Sequence, residues 1–286
     1  MPTRWLAALA VAGALCMLAG CGSDVEAQPV PRRIVSLSPT ATENLFAVGA
    51  GDQVVAVDEY SRFPPRAPRT KLSYATPNAE AIAGYRPDLV VMAKESDKVA
   101  PALERLGIPT LVFRPATDLA DAYRQIERIG RATGHRDEAA AVVARMRRRV
   151  GEIIGRLRER RERLSVYHEL DPTYFSATSS TFIGHVYELL GLRNIADEAA
   201  GGGEYPQLSA EYVVESDPHL IVLADAVCCD QDAAAVAERP GMRDLSAVRN
   251  GHVLAADDDL ASHWGPRIVD FMELVADEVV TIRDAG

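Results

Sequence analysis

The chain has 286 residues, of which 48% are hydrophobic, 25% charged and 6% aromatic, a globular composition long enough for two domains of about 100 to 150 residues. Lys and Arg number 31 against 41 Asp and Glu, a net charge of −10 that would repel a phosphate backbone. Those figures exclude a disordered or fibrous chain and argue against a nucleic-acid partner.

The first twenty residues read as an export signal: Arg4 gives the charged start and residues 5–18 the apolar centre. Leu18-Ala19-Gly20-Cys21 resembles a bacterial lipobox, so Cys21 is the expected lipidation site, with residues 21–32 as a tether. The apolar run is shorter than the roughly 20 residues that span a bilayer. The expected location is the extracytoplasmic face of a membrane, held by lipid on a cell surface or in a periplasm.

Strand and helix then alternate. Residues 34–37 form an apolar strand, Pro39-Thr40 opens a helix ending at Gly49, and residues 54–57 form a second strand. Residues 58–77 read as a proline-rich loop, and Asn78 caps a short helix that runs to Gly84. A strand at 89–91, a helix at 100–106 and a strand at 110–113 complete a first lobe, residues 31–117, with a largely parallel sheet.

Residues 118–163 are expected to be helical. A segment at 119–133 breaks at Gly134, and a long helix then carries Val142, Met146, Val150, Ile153 and Leu157 on one face. Its other face is rich in arginine, including Arg145, Arg147, Arg148, Arg149, Arg156 and Arg158. Glu152, Glu159 and Glu162 at helical-pair distances predict a solvated, charge-balanced surface.

A second lobe, residues 164–286, follows. It has strands at 164–170, 220–223 and 251–255, helices at 182–190 and 209–215, and a glycine loop at 201–203. Pro266 opens a terminal helix with an apolar stripe of Ile268, Phe271, Met272, Val275 and Val279. The predicted fold class is α/β: two Rossmann-like lobes, each with a mostly parallel sheet, joined by one long helix. A cleft between them, lined by loops at strand ends, is where a small molecule would bind.

Five local patterns in this order resemble one family. They are Ser36-Leu37-Ser38-Pro39 with Thr42-Glu43; Tyr60-Ser61 with Pro64-Pro65; Glu80 followed by Pro87-Asp88-Leu89-Val90; Pro206-Gln207 with Ser209 and Glu211; and Pro266-Arg267. The set is similar to the extracytoplasmic solute-binding proteins of ABC importers that carry cobalamin, iron siderophores and haem, the class with a single helical backbone. It looks most like the cobalamin-binding members. The resemblance implies a monomeric receptor that captures a corrinoid in a largely pre-formed cleft and delivers it to a dimeric ABC permease. It implies no enzymatic activity and no cofactor.

By the same resemblance, Glu80 and Glu211 would dock on permease arginines, and Tyr60 would be a cleft aromatic. Tyr174, Phe175 and the His263-Trp264 pair lie in loops expected to open onto the cleft, where aromatic faces offer area to a macrocycle. Tyr74 stands where cobalamin binders often have tryptophan, which leaves a ferric siderophore or haem as the alternative ligand. Arg62 and Arg114 are the candidate cations for an anionic chelate, and Arg267 is expected to pair locally.

Among the six histidines, at 135, 168, 185, 219, 252 and 263, no two have helical metal-ligand spacing. The most suggestive cluster is His168 with Glu169 and Asp171; otherwise His168 lines the cleft or ends a strand. An axial imidazole to a chelated metal stays open for His168 or His263. Cys228-Cys229 is either a strained vicinal disulfide ring or a reduced pair facing the cleft. No nucleophile-elbow, zincin or phosphate-loop motif occurs. Ser36, Ser38 and Glu43 would make a nucleophile and base only with a histidine partner.

Overall fold

The computed structural model describes residues 29–157, 164–199 and 203–285. The export signal, Cys21, Arg158, Glu159, Glu162 and most of the glycine loop lie outside them.

The first lobe runs β1 (Ile34–Leu37), α1 (Pro39–Ala47), β2 (Val54–Asp58), β3 (Arg69–Leu72), α2 (Ala79–Ala83), β4 (Leu89–Ala93), α3 (Ala100–Arg105) and β5 (Thr110–Phe113). These strands form one parallel sheet in the order β3-β2-β1-β4-β5. β1 and β4 are buried along their whole length, as expected for parallel strands covered on both faces. The crossing of strand order between β1 and β4 opens a crevice at their C-terminal ends. β3 was expected to be loop: Arg69-Thr70-Lys71 has no apolar run, and as an edge strand only its Leu72 is buried.

The connection is α4 (Leu119–Thr133) and α5 (Arg136–Leu157). Gly134, at φ 81°, ends α4 in the left-handed conformation that glycine adopts without steric cost. Val142, Met146, Val150, Ile153 and Leu157 of α5 are all buried, so the helical stripe is the packed face.

The second lobe comprises β6 (Ser165–Glu169), α6 (Phe182–Leu189), β7 (Arg193–Asn194), α7 (Ala210–Ser216), β8 (Leu220–Leu223), α8 (Ala233–Glu238), α9 (Ser246–Asn250), β9 (Val253–Ala255), α10 (Asp258–Ser262) and α11 (Ile268–Ala285). Its sheet is parallel in the order β7-β6-β8-β9. α11 buries the predicted stripe of Ile268, Phe271, Met272, Val275 and Val279 and packs along α5.

The arginine face is solvated and charge-balanced, as expected, with partners on another helix: Arg149 and Arg156 pair with Asp270, Glu273 and Asp277 of α11, at 2.5 to 3.8 Å. Sequence spacing finds partners three or four residues away; it has no view of a helix 120 residues downstream. Arg147 lies over the Tyr123 ring at 4.8 Å, another contact between helices.

Candidate functional site

On the first lobe the site grows out of a buried polar network. Ser38 caps α1, accepting from the Ala41 N–H at 3.3 Å. The Thr42 hydroxyl lies 2.9 Å from both Ser36 Oγ and Ser61 Oγ, and Ser61 donates to Asp58 Oδ2 at 2.7 Å. Asp58 Oδ1 accepts from the backbone N–H of Tyr60 and of Ser61. Burial holds the Asp58 carboxyl above its ordinary range, opposed by those hydrogen bonds. Ser36 and Ser61, through Thr42, thereby hold the turn after β2, and that turn presents Tyr60, 51% exposed, with its ring edge-to-face with Tyr74 at 6.4 Å.

On the second lobe, Glu169 ends β6 fully buried. It accepts from Arg239 through both oxygens, at 2.6 and 2.7 Å, and from the Tyr167 hydroxyl at 3.0 Å. The Arg239 guanidinium also covers the Tyr174 ring at 5.6 Å. Tyr174 is thus half-buried beneath an arginine, at φ 69°, while its neighbour Phe175 is exposed and bridges to Gln207. The expected His168, Glu169 and Asp171 cluster is dispersed. Glu169 serves Arg239, Asp171 accepts from Thr173, and His168 bonds Tyr187. Among the described residues no three His, Cys, Asp or Glu side chains are placed to hold a metal ion.

Cys228 and Cys229 are exposed free thiols, so the vicinal ring is not formed. Asp258 accepts from the Val227 and Cys228 N–H groups and fixes their loop. Sequence reasoning missed Asp225, two residues beyond β8. It is wholly buried, neither oxygen has a side-chain hydrogen-bond partner among the described residues, and burial together with the charge of Glu169 raises its pKa to about 7. An acidic residue directly after a fully apolar strand was the available signal.

The lobes meet at a seam built on α1 and the start of α11. Glu43 accepts from the Arg267 N–H at 2.8 Å and from its Nε at 3.0 Å, and the Phe63 ring lies 3.9 Å from the guanidinium. Arg267 therefore pairs 224 residues away, not locally. A Cβ on Gly265 would sit 2.5 Å from Glu43 Oε1, so the approach requires glycine. Burial raises the Glu43 pKa despite Arg267. Trp264 lines a small gap at the ends of β1 and β4 together with Ser38, Ala93 and Phe113, packs at an angle on Phe182 with ring centres 6.3 Å apart, and its Nε1 donates to Gln125 Oε1 at 3.0 Å. It is half-buried between the lobes and also borders the bay that opens beside it.

Beside Trp264 a bay of about 160 Å³ opens between the lobes, bordered by Pro115 and Ala116 on one side and His168, Leu170 and Phe182 on the other. Larger grooves of about 510 and 640 Å³ lie at the N-terminal ends of the two sheets, away from the strand ends where ligands of open α/β sheets bind.

Glu80 and Glu211 occupy matching places. Each is exposed, two residues after a capping side chain, Asn78 or Ser209, on the helix that precedes the strand paired with its lobe's first strand. Bonds from its own backbone N–H and from Ser209 hold the Glu211 carboxyl below its ordinary range.

Residues 34–260 match the model of a family described as periplasmic binding protein. The chain belongs to that family. It is 30% identical over 266 residues to an uncharacterized ABC transporter substrate-binding lipoprotein of Bacillus subtilis, covering 90% of this chain and 82% of the relative. It is 35% identical over 254 residues to a cobalamin-binding protein of Halobacterium salinarum, covering 86% and 69%. Among solved structures, the periplasmic vitamin B12 binding protein BtuF of Vibrio cholerae superposes with a TM-score of 0.72 at 25% identity, over 88% of this chain and 98% of that one. The periplasmic haem-binding protein RhuT of Roseiflexus superposes with a TM-score of 0.75 at 23% identity, over 86% and 98%, a likeness of fold. The chain is an extracytoplasmic substrate-binding receptor of the cobalamin, siderophore and haem type, with two lobes. No helix among the described residues is long and apolar enough to cross a membrane.

Proposed function

We propose that this receptor is anchored by lipid at Cys21, captures a corrinoid in the cleft between its lobes, and hands it to an ABC permease without performing chemistry on it. The observation that carries the reading is the 35% identity to a cobalamin-binding protein across 86% of the chain. The geometry supports it: Tyr60 stands exposed on the first lobe and Phe175 on the second, on the ends where the strands finish, while the Glu43–Arg267 pair sets the spacing of the lobes. Two aromatic faces on a fixed seam suit a broad macrocycle, which needs area more than enclosure.

Docking is assigned to Glu80 and Glu211, whose carboxylates stand exposed at equivalent positions of both lobes. Bidentate pairing with permease arginines would set the register of the complex.

The test is absorbance and thermal shift with cyanocobalamin, a ferric hydroxamate, a ferric catecholate and haemin, each at about 100 times a micromolar dissociation constant. A ligand at that saturation stabilises the fold by about 2.7 kcal/mol. A shift with cobalamin alone is expected; a shift with a ferric chelate or haemin alone replaces the ligand. For docking, Glu80→Arg with Glu211→Arg should abolish uptake and leave ligand affinity unchanged. Uptake that survives the double substitution sinks the assignment.

A further inference from the structure

Cys228 and Cys229 stand adjacent, exposed and reduced in the loop between β8 and α8. The other cysteines of the chain are Cys16, inside the expected export signal, and Cys21, the expected lipidation site. Past residue 21 each thiol therefore has a single disulfide partner available within the chain, its neighbour. Exposed thiols on an extracytoplasmic protein meet disulfides, because that side of the membrane is the oxidising one.

The loop holds both residues through their backbone. Asp258 accepts from the N–H groups of Val227 and Cys228 at 2.9 and 2.7 Å, and the Asp225 carbonyl accepts from the Cys229 N–H at 3.1 Å. Gln231 Nε2 donates to the Cys229 carbonyl at 2.7 Å, and Gln231 is itself held by Arg239 at 2.6 Å. The two thiols are in hydrogen-bond contact, so no distant segment has to be brought in before they react. They are not equivalent. The Cys228 S–H donates to the Asp225 carbonyl at 3.7 Å, and burial, the Cys229 thiol and the Asp258 carboxylate push it up to about 12. Cys229 is therefore the thiol that attacks first.

We propose that Cys228 and Cys229 are a redox modification site, a dithiol that closes to a vicinal disulfide by exchange with a disulfide of low molecular weight and reopens with a thiol. The Cys229 thiolate attacks one sulfur of R–S–S–R, forming Cys229–S–S–R and expelling RS⁻. Cys228 then gives up its proton and its sulfur attacks that of Cys229, forming the bond between the two residues and expelling a second RS⁻. The pair is oxidised by two electrons, R–S–S–R is reduced to two RSH, and the two protons of the pair leave on those thiols. The product is an eight-membered ring that contains the peptide between the cysteines. Such a ring is strained, and a strained, exposed disulfide is the labile kind. Closing it pulls on the peptide whose N–H groups are held by Asp258 and Asp225, and Asp258 opens α10, which leads directly to Trp264 and Arg267 at the seam. The couple does not depend on which cargo the cleft takes.

The test uses the full chain with Cys16→Ser and Cys21→Ser, so that only the pair can react, treated with a dithio-bis-nitrobenzoate whose released thiolate is coloured. Closure should release two reagent thiols per chain and leave a monomer lighter by two hydrogens, with no reagent attached. Adding Cys228→Ser should release one and keep the other half of the reagent as a stable adduct on Cys229. Adding Cys229→Ser should instead slow the reaction by about tenfold or more, because the thiol that remains is the one held protonated. Asp258→Asn should shorten the life of the mixed disulfide. For each unit by which the Cys228 thiol falls, its thiolate rises about tenfold and its nucleophilicity drops about threefold, a net gain of about threefold. Glutathione should then restore both thiols.

Reagent retained on the unsubstituted pair, a disulfide-linked dimer, or a ring that glutathione leaves closed overturns the site. Equal rates for the Cys228→Ser and Cys229→Ser chains overturn the order of attack.

Discussion

Glu169 and Arg239 meet inside the second lobe through two side-chain bonds of 2.6 and 2.7 Å, with Glu169 fully buried and Arg239 13% exposed. Glu43 and Arg267 meet across the seam through one side-chain and one backbone bond, with Arg267 22% exposed and stacked on Phe63. Residue types and burial are nearly the same, but the elements joined are not. The first pair fixes the end of β6 and the Tyr174 ring within one folding unit. The second fixes the angle between two units, where solvent reaches the arginine and an aromatic ring shares its charge. A buried ion pair costs desolvation of both partners, so its removal reveals whether it held a core or a hinge.

Arg239→Met should be the most damaging change, about 3–5 kcal/mol in urea unfolding, because Glu169 would stay buried beside Asp225 without a cation. Adding Glu169→Leu should recover most of the loss, since replacing both ions removes the stranded charge; a double variant as unstable as the single would contradict that account. Arg267→Met should cost less, about 1–3 kcal/mol, and should widen the distribution of lobe angles in solution scattering. Equal losses for Arg239→Met and Arg267→Met would erase the distinction between core and hinge.

The two lobes also hold titratable groups of opposite sign. Asp225, ordinarily 3.8, titrates at about 7 in the fold, so the native state keeps a proton that the unfolded chain has released. Its contribution to stability falls as pH rises from about 4 to 7. Asp58 and Glu43, both raised by burial, act in the same direction. His168, ordinarily 6.5, is lowered to about 4, so its contribution falls as pH drops from about 6.5 to 4. Over about pH 4 to 6.5 these slopes oppose, each at most about 1.4 kcal/mol per pH unit per proton. Asp225→Asn should therefore tilt the profile toward greater stability at pH 6.5 relative to pH 4.5 than the unsubstituted protein shows. His168→Phe should tilt the profile the other way, and profiles parallel to that of the unsubstituted protein would refute both assignments.

Most strands and long helices were legible in the sequence because apolar runs and stripes are local signals. Val142 through Leu157 in α5 and Ile268 through Val279 in α11 are buried as the 3.6-residue period requires. β3 and the two-residue β7 were not legible, since edge strands need not carry apolar runs. α8, α9 and α10, at five or six residues, are too short for a period to be read. The exposure of Tyr60, Phe175, Glu80 and Glu211 was legible, because they sit on loops or helix starts that local patterns locate. The seam was not. Glu43–Arg267 and Trp264–Gln125 span 224 and 139 positions, and only the packing of one lobe on the other brings them together.

The smallest effect is expected on the surface of the connector. Arg149 and Arg156 of α5 reach Asp270, Glu273 and Asp277 of α11, but both arginines are 45% or more exposed and Glu273 is 37% exposed. Water screens such pairs, and each long side chain loses rotamer freedom when it is held. Arg156→Ala should therefore cost under about 1 kcal/mol, even though it breaks two contacts between helices far apart in sequence. The difference should shrink as salt rises from 0.01 M toward 1 M and the Debye length falls from about 30 Å to about 3 Å. A loss that persists at high salt would place the arginine's contribution in the apolar contact of its stem with α11, and would move this exposed network into the class of the seam.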